Sequence, residues 1–163
     1  MIDDVDRQIL TIIQQNARTP NAEIARQVGM AASAIHERIR KLEERGVIES
    51  YGARLAAKRV GHGLLAFVFV RAEERLDSPE TGELLARIPE VQEVHHIAGE
   101  DCFLVKVRVA DTDALGRLLR ERVGAISTVR STRTTIVLET VKETTALELG
   151  SGIDTEAVHA GGD

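Results

Sequence analysis

The residues best suited to bind a partner lie between positions 32 and 45. There, polar and basic side chains share one side of a predicted helix. At about 100° per residue, Ile35, Ile39 and Leu42 fall on one apolar face. The side chains that point away from this face are Ser33, His36, Glu37, Arg40 and Lys41, with Arg38 on the flank. Polar groups near the start of a helix can reach base edges in a DNA major groove, and cations behind them can meet phosphates.

A polar helix face can contact DNA or can simply face solvent, since solvated helix faces also carry Glu, Lys and Arg. The residues around this helix distinguish the two interpretations. A preceding helix is predicted to begin with Thr19 as its cap and Pro20 as its first residue. Gly29 can take the left-handed conformation that ends this helix, and Gly46 ends the next one in the same way. This helix–glycine–helix arrangement favours a helix-turn-helix that binds DNA.

A second candidate site is the turn Ala98-Gly99-Glu100-Asp101 between two predicted strands. Gly99 and the amides after it could present N–H groups to a carboxylate, while Glu100 or Asp101 could pair with an ammonium group. Together these partners would recognise a free amino acid. The alternative is an ordinary acidic hairpin turn. The single cysteine, Cys102, is either a redox-sensing thiol or a small buried hydrophobe.

Helical periodicity predicts the elements that hold the first site. A helix begins at Asp3 or Asp4 and runs to about Asn16, with four apolar residues on its buried face. It would pack under the two helices described above and complete a three-helix head. Residues 47–55 are predicted to form two short strands, which makes the head a winged helix-turn-helix.

The second domain is predicted to begin at about Leu64 and to follow the order β-α-β-β-α-β. The strands cover residues 64–72, 91–98, 102–109 and about 126–141. The helices open at Ser78 and Pro79 and at Asp111 or Thr112. This order is that of a ferredoxin-like sandwich in the α+β class, with helices on one face of an antiparallel sheet. The other face needs a cover, which predicts a homodimer through the sheets.

The predicted domains are 1–60, the winged helix-turn-helix with its linker; 61–145, the effector and oligomerisation domain; and 146–163, a flexible tail rich in glycine and acidic residues. Residues 1–60 carry ten Lys/Arg and eight Asp/Glu, a net charge of +2. Residues 61–163 carry eleven and eighteen, a net charge of −7. A mildly basic head on an acidic body fits a DNA-reading domain joined to one that does not contact DNA.

Several function classes are disfavoured. No phosphate loop, nucleophile elbow or Ser-His-Asp arrangement is present, so neither an enzyme nor a cofactor is predicted. His95 and His96 are adjacent on a strand and point to opposite faces, which argues against a zinc site. The chain has no apolar run that could span a membrane and no secretory signal, and its lone cysteine cannot form an internal disulfide. These features predict a cytoplasmic protein.

Three segments carry a resemblance to a known family. They are DDVDRQILTIIQQNART, NAEIARQVGMAASAIHERIRKLEERGVIESYGARL and HHIAGEDCFLVKVRV. With them the chain resembles the Lrp/AsnC (leucine-responsive, feast/famine) transcriptional regulators over about residues 3 to 143. The sequence departs from the family at Ala31, where a serine usually caps the second helix of the motif, and losing such a cap costs about 1 kcal/mol.

The resemblance implies a sequence-specific DNA-binding regulator that responds to an amino acid or a related metabolite. It implies sheet-to-sheet dimers, and often tetramers or octamers, with the effector beside a Gly-x-x-Asp turn between dimers. An ungapped alignment puts Cys102 at the Asp position and Asp101 one residue earlier. The implied effector residues are Gly99, Glu100, Asp101 and Cys102. Two alternatives stay open: an effector-independent architectural protein that organises DNA, and a metabolic module whose helical head binds proteins.

Overall fold

A computed structural model describes residues 2–73 and 80–150. The described residues form two compact units. One contains the described residues up to Ala53 together with residues 143–150, and the other lies within Arg54–Lys142. The predicted boundary after residue 60 therefore falls seven residues beyond the division, and the start of the predicted tail joins the helical unit.

The helical unit begins with α1, Asp4–Gln15, as predicted. Asp3 is its N-cap and accepts a hydrogen bond from the Asp6 amide at 2.8 Å, while the Asp6 carboxylate accepts from the Asp3 amide at 3.2 Å. This reciprocal capping box satisfies two of the free amides at the helix start. Ile9, which is fully buried, packs with Ile24, Ala25 and Ile35 in the core of the unit.

The next helix, α2, spans Asn21–Val28 and ends at Gly29, whose φ of +75° confirms the predicted left-handed end. The prediction of Thr19 as its cap is wrong. Pro20 occupies the N-cap position with extended backbone, and no side chain caps this helix. The Thr19 hydroxyl instead donates to the Asn16 carbonyl at 2.8 Å, because the chain turns at Asn16 before it enters α2.

The third helix, α3, spans Ala32–Glu44. Its N-cap is Ala31, which makes no side-chain capping bond, as the sequence indicates. Ile35 and Leu42 are buried, with 0% and 1% exposure, and Ile39 is half-buried. The predicted apolar face of this helix is confirmed.

The prediction of two short strands between residues 47 and 55 is wrong, because the chain there forms neither helix nor strand. Tyr51 is tied back to α3 through its hydroxyl, which donates to the Glu43 carboxylate at 2.8 Å. From Glu143 the described chain belongs to the helical unit again. There the Gln14 side chain donates to the Leu147 carbonyl at 3.1 Å and accepts from the Leu147 amide.

The second unit contains four strands and two helices in the predicted β-α-β-β-α-β order. They are β1 Leu64–Ala72, α4 Glu80–Ala86, β2 Val91–His96, β3 Phe103–Val109, α5 Thr112–Leu118 and β4 Val129–Ile136. A single π-helical turn, Leu119–Val123, extends α5. The antiparallel sheet has the order β2-β3-β1-β4, as in a ferredoxin-like fold. Strand β4 is shorter than predicted, and the predicted helix start at Ser78 and Pro79 lies outside the described residues.

Both helices cover one face of this sheet. Val68, Val105 and Val107 lie on that face and pack against Leu85 and Leu118. Because strand side chains alternate, the intervening residues point to the opposite face. Among the helices of the described residues, none is long and apolar enough to cross a membrane.

Candidate DNA-binding helix and effector turn

The polar side of α3 is exposed. Ser33, His36, Arg40 and Lys41 are exposed, and the Glu37 side chain keeps 46% of its surface. They lie opposite the buried Ile35 and Leu42, so the two buried residues orient the polar side outward. Within the helical unit, this polar surface is therefore open to contact with a partner molecule.

Arg40 is held in place by neighbours on its own helix. Its guanidinium donates to both Glu37 carboxylate oxygens, at 3.0 and 2.7 Å, and also pairs with Glu44. The bond from Arg40 lowers the pKa of Glu37 to about 2, and the pKa of Arg40 is raised in turn, chiefly by the same bond. A phosphate that binds Arg40 therefore competes with two carboxylates, but it meets a guanidinium that is already oriented.

His36 links the two helices of the motif. Its Nδ1 lies 3.5 Å from the side-chain amide of Asn21 on α2. Sequence reasoning missed Asn21, because no pattern shows that the first residue of α2 lies beside the middle of α3. Ser33 has no side-chain hydrogen bond to the residues that the structure describes.

Arg38 is placed differently from the other five side chains. Its Nη1 lies 2.7 Å from an Asp3 carboxylate oxygen and 2.7 Å from one of Asp6. Its side chain is 31% exposed, and that of Asp6 only 10%. Nη1 of Arg38 is thus shared by two carboxylates at the start of α1, whereas Arg40 pairs with glutamates of its own helix.

In the effector turn, Gly99 has a φ of +142°, a backbone conformation that favours glycine. Cys102 directly precedes β3, and its backbone is bonded to β1 and to the residue after β2. Its amide donates to the Val70 carbonyl and its carbonyl accepts from the Ile97 amide, both at 2.9 Å. Its half-buried thiol donates to the Ala72 carbonyl at 3.2 Å. These bonds favour the interpretation of Cys102 as a small packed residue.

Asp101 also has a partner. An oxygen of its carboxylate lies 3.0 Å from Nη2 of Arg133 on β4. The guanidinium of Arg133 lies 4.0 Å above the ring of Phe69 on β1. Glu100 is exposed and makes no side-chain bond to the described part of the chain. Glu100 is thus the carboxylate of this turn that remains open to an ammonium group.

Known proteins match both units. The winged helix-turn-helix DNA-binding family matches residues 2–49, and the Lrp/AsnC ligand binding domain matches residues 65–147. The HTH-type transcriptional regulator FL11 of Pyrococcus horikoshii is 38% identical over 148 residues, which is 91% of this chain and 97% of that protein. The chain belongs to the Lrp/AsnC family of transcriptional regulators.

Solved structures agree with this assignment. A transcriptional regulator of Neisseria meningitidis in complex with L-methionine superposes with a TM-score of 0.86 at 28% identity, over 91% of this chain and 97% of that one. The feast or famine regulatory protein of M. tuberculosis, also complexed with L-methionine, gives 0.84 at 35% identity, over 90% and 99%. This Lrp/AsnC regulator therefore has the family's α+β fold, with a helix-turn-helix that binds DNA and a ligand-binding domain.

No group of three His, Cys, Asp or Glu side chains in residues 2–73 and 80–150 could hold a metal ion.

Proposed function

We propose that this Lrp/AsnC regulator contacts DNA with the polar side of α3 and responds to a free amino acid at residues 98–102. The observation that carries the proposal is the exposure of the α3 polar side, opposite two buried anchor residues. Ser33, His36 and Glu37 would contact base edges, with Glu37 accepting from a cytosine amino group. Arg40 and Lys41 would contact phosphates.

The effector is proposed from the chemistry of the turn and from the two neighbours that were solved with L-methionine. Backbone amides at Gly99 and beyond would bind the carboxylate of an amino acid, and Glu100 would meet its ammonium group. The Asp101 carboxylate would bind the ammonium group by giving up its ion pair with Arg133. Cys102 would support the turn through its bonds to β1.

Assembly is proposed from the uncovered face of the sheet. Phe67, Phe69 and Leu104 lie on this face and are only half-buried. A second copy that covers them would form a homodimer and supply two heads for two DNA half-sites, with tetramers or octamers as higher forms. An effector would change head spacing through different affinities for two assemblies. Such a regulator needs no catalytic activity and acts in the cytoplasm, where a bacterial or archaeal chromosome lies.

The test of the helix is a fluorescence anisotropy titration with a duplex selected from random DNA by the unmodified protein. Arg40→Ala should weaken binding and reduce its salt dependence, because one cation that meets phosphate is lost. His36→Ala should reduce the preference for the selected duplex over a scrambled one. The matched control is Arg87→Ala, which removes an exposed arginine just after α4 from its ion pair with Glu83. Unchanged affinity and unchanged preference in both head variants would refute the assignment.

The test of the effector is light scattering of the full chain with each amino acid in turn, with and without the selected duplex. At least one amino acid should change the assembly. DNA binding that is indifferent both to sequence and to every amino acid would favour the architectural alternative.

A further inference from the structure

Arg38 joins α3, the proposed DNA-recognition helix, to α1, which has no part in the proposed DNA surface. It lies about 60° around the axis of α3 from Ile35, on the side away from Ile39, at 100° per residue. Both short bonds from its guanidinium go to the N-terminus of α1, to Asp3 and to Asp6. Asp6 and Asp3 precede Arg38 by 32 and 35 residues, so these bonds are tertiary contacts between α3 and the start of α1.

The two acceptors are oriented by α1 itself. Asp3 and Asp6 exchange backbone-to-carboxylate bonds in the capping box, which fixes where their remaining oxygens point. The Asp6 amide, followed by Arg38, lowers the pKa of Asp3 and so favours its ionised form. Arg38 therefore meets a prearranged pair of carboxylates, one of which is nearly buried.

The recognition helix needs such a contact. Its start has no side-chain cap at Ala31. Ile35 and Leu42 lie almost on one line along the axis and set the depth of the helix, but they constrain its rotation weakly. On the other flank, Ile39 packs against the core and Glu43 accepts a bond from Tyr51, while His36 lies 3.5 Å from Asn21, so Arg38 is the polar tie on the α1 side. A rotation of about 20° would move side-chain tips by roughly 2 Å, which is enough to break hydrogen bonds to bases.

We infer that Arg38 is a positioning residue that sets the rotation of α3 against α1, with Asp3 and Asp6 as its anchors, and that it is not a phosphate ligand. This inference rests on the proposed DNA surface of α3. It predicts that sequence discrimination depends on two aspartates of α1 that do not contact DNA.

The test compares affinities for the selected duplex and a scrambled duplex, using full-length protein whose circular dichroism shows the native helix content. Arg38→Gln and Asp6→Asn should each lower the ratio of the two affinities by roughly tenfold, the factor that corresponds to about 1.4 kcal/mol. The double variant should be no worse than Arg38→Gln alone, because Arg38→Gln already removes the bonds to both aspartates. Asp3→Asn keeps a good N-cap and should show a smaller loss in the same direction.

Arg7→Gln is the matched control, because Arg7 forms an ion pair with Asp4 on α1 and with no other carboxylate of the described residues. It should leave the ratio unchanged. If Arg38 were a phosphate ligand, Asp6→Asn would remove one of the two carboxylates that compete for it and tighten binding to both duplexes, and that result would overturn the inference. Loss of thermal stability with an unchanged ratio would also overturn it. If the unmodified protein selects no duplex at all, the proposed function fails instead.

Discussion

The polar side of α3 and the turn at residues 98–102 are both candidate binding surfaces, but they differ in what determines their chemistry. On α3, one helix with two buried residues places five polar side chains outward. In the turn, the groups that resemble ligand contacts are largely used by the domain itself. Asp101 binds Arg133, and the backbone and thiol of Cys102 bind β1 and the chain before the turn. The spacing of residues along α3 thus determines which of its side chains are exposed. Which groups of the turn are free to bind a ligand depends on residues distant in the sequence.

The largest expected effect comes from breaking the anchor of the α3 surface. Ile35→Ala removes a fully buried side chain from the head core and should destabilise the helical unit by about 3 kcal/mol. Urea-induced unfolding, monitored by hydrogen exchange at the α3 amides, measures this loss of stability. Ile39→Ala, at a half-buried position on the same helix, is the control and should cost clearly less. Equal losses in the two variants would mean that Ile35 does not anchor the helix.

The corresponding test of the turn is Gly99→Ala, which forces a side chain into a backbone conformation at φ +142°. Strain of this kind costs about 1–3 kcal/mol, and the response to the effector should disappear with it. Chemical denaturation and light scattering with amino acids check both outcomes. The control is Gly52→Ala, where φ is not in the left-handed region and a Cβ would meet no atom within 4 Å. A fully stable Gly99→Ala variant would show that the turn relaxes readily.

The α3 surface can be strengthened at its missing cap. In an Ala31→Ser variant, the new hydroxyl can accept from the Ser33 amide, or share the Ala34 amide with the Ala31 carbonyl, and should stabilise the helical unit by about 1 kcal/mol. Thermal unfolding measures the gain. Ala32→Ser, one residue further along and inside the first turn, is the matched substitution that should bring no comparable gain. Absence of any difference between the two serines would contradict the capping argument.

The smallest effect is the pH dependence of the Glu37–Arg40 pair. Because Arg40 lowers the pKa of Glu37 from 4.5 to about 2, the pair stabilises the folded state above about pH 4.5. The stabilisation declines as the pH falls through 4.5 towards 2. The stability difference between the unmodified protein and Glu37→Gln should therefore shrink over this range. A difference that stays constant down to pH 2 would show that the pair does not contribute.

The sequence predicts most of the architecture because its signals are local. Apolar residues at helical spacing predict α1 and α3, alternation predicts β3, and Gly29 marks the end of α2. The predictions fail where two local signals compete or where a partner is remote. Thr19 and Pro20 both suit a helix start, and the residues after α3 have strand-like composition but no ladder partner to form a strand.

The sites follow the same rule. Helical spacing places five polar side chains on the outer side of α3, and it places Arg38 on the flank. It cannot show that Asp3 and Asp6, more than thirty residues earlier, hold that arginine. Likewise, nothing near the turn indicates that Arg133 neutralises Asp101, because strand register brings the two together.

The most direct test of the central claim is hydroxyl-radical footprinting of the full chain with and without its selected duplex. It compares two exposed histidines, His36 on α3 and His95 on β2. If the polar side of α3 lies against DNA, the duplex should protect His36 from oxidation and leave His95 unchanged. Oxidation of His36 that is equal in the free and the DNA-bound protein would contradict the account.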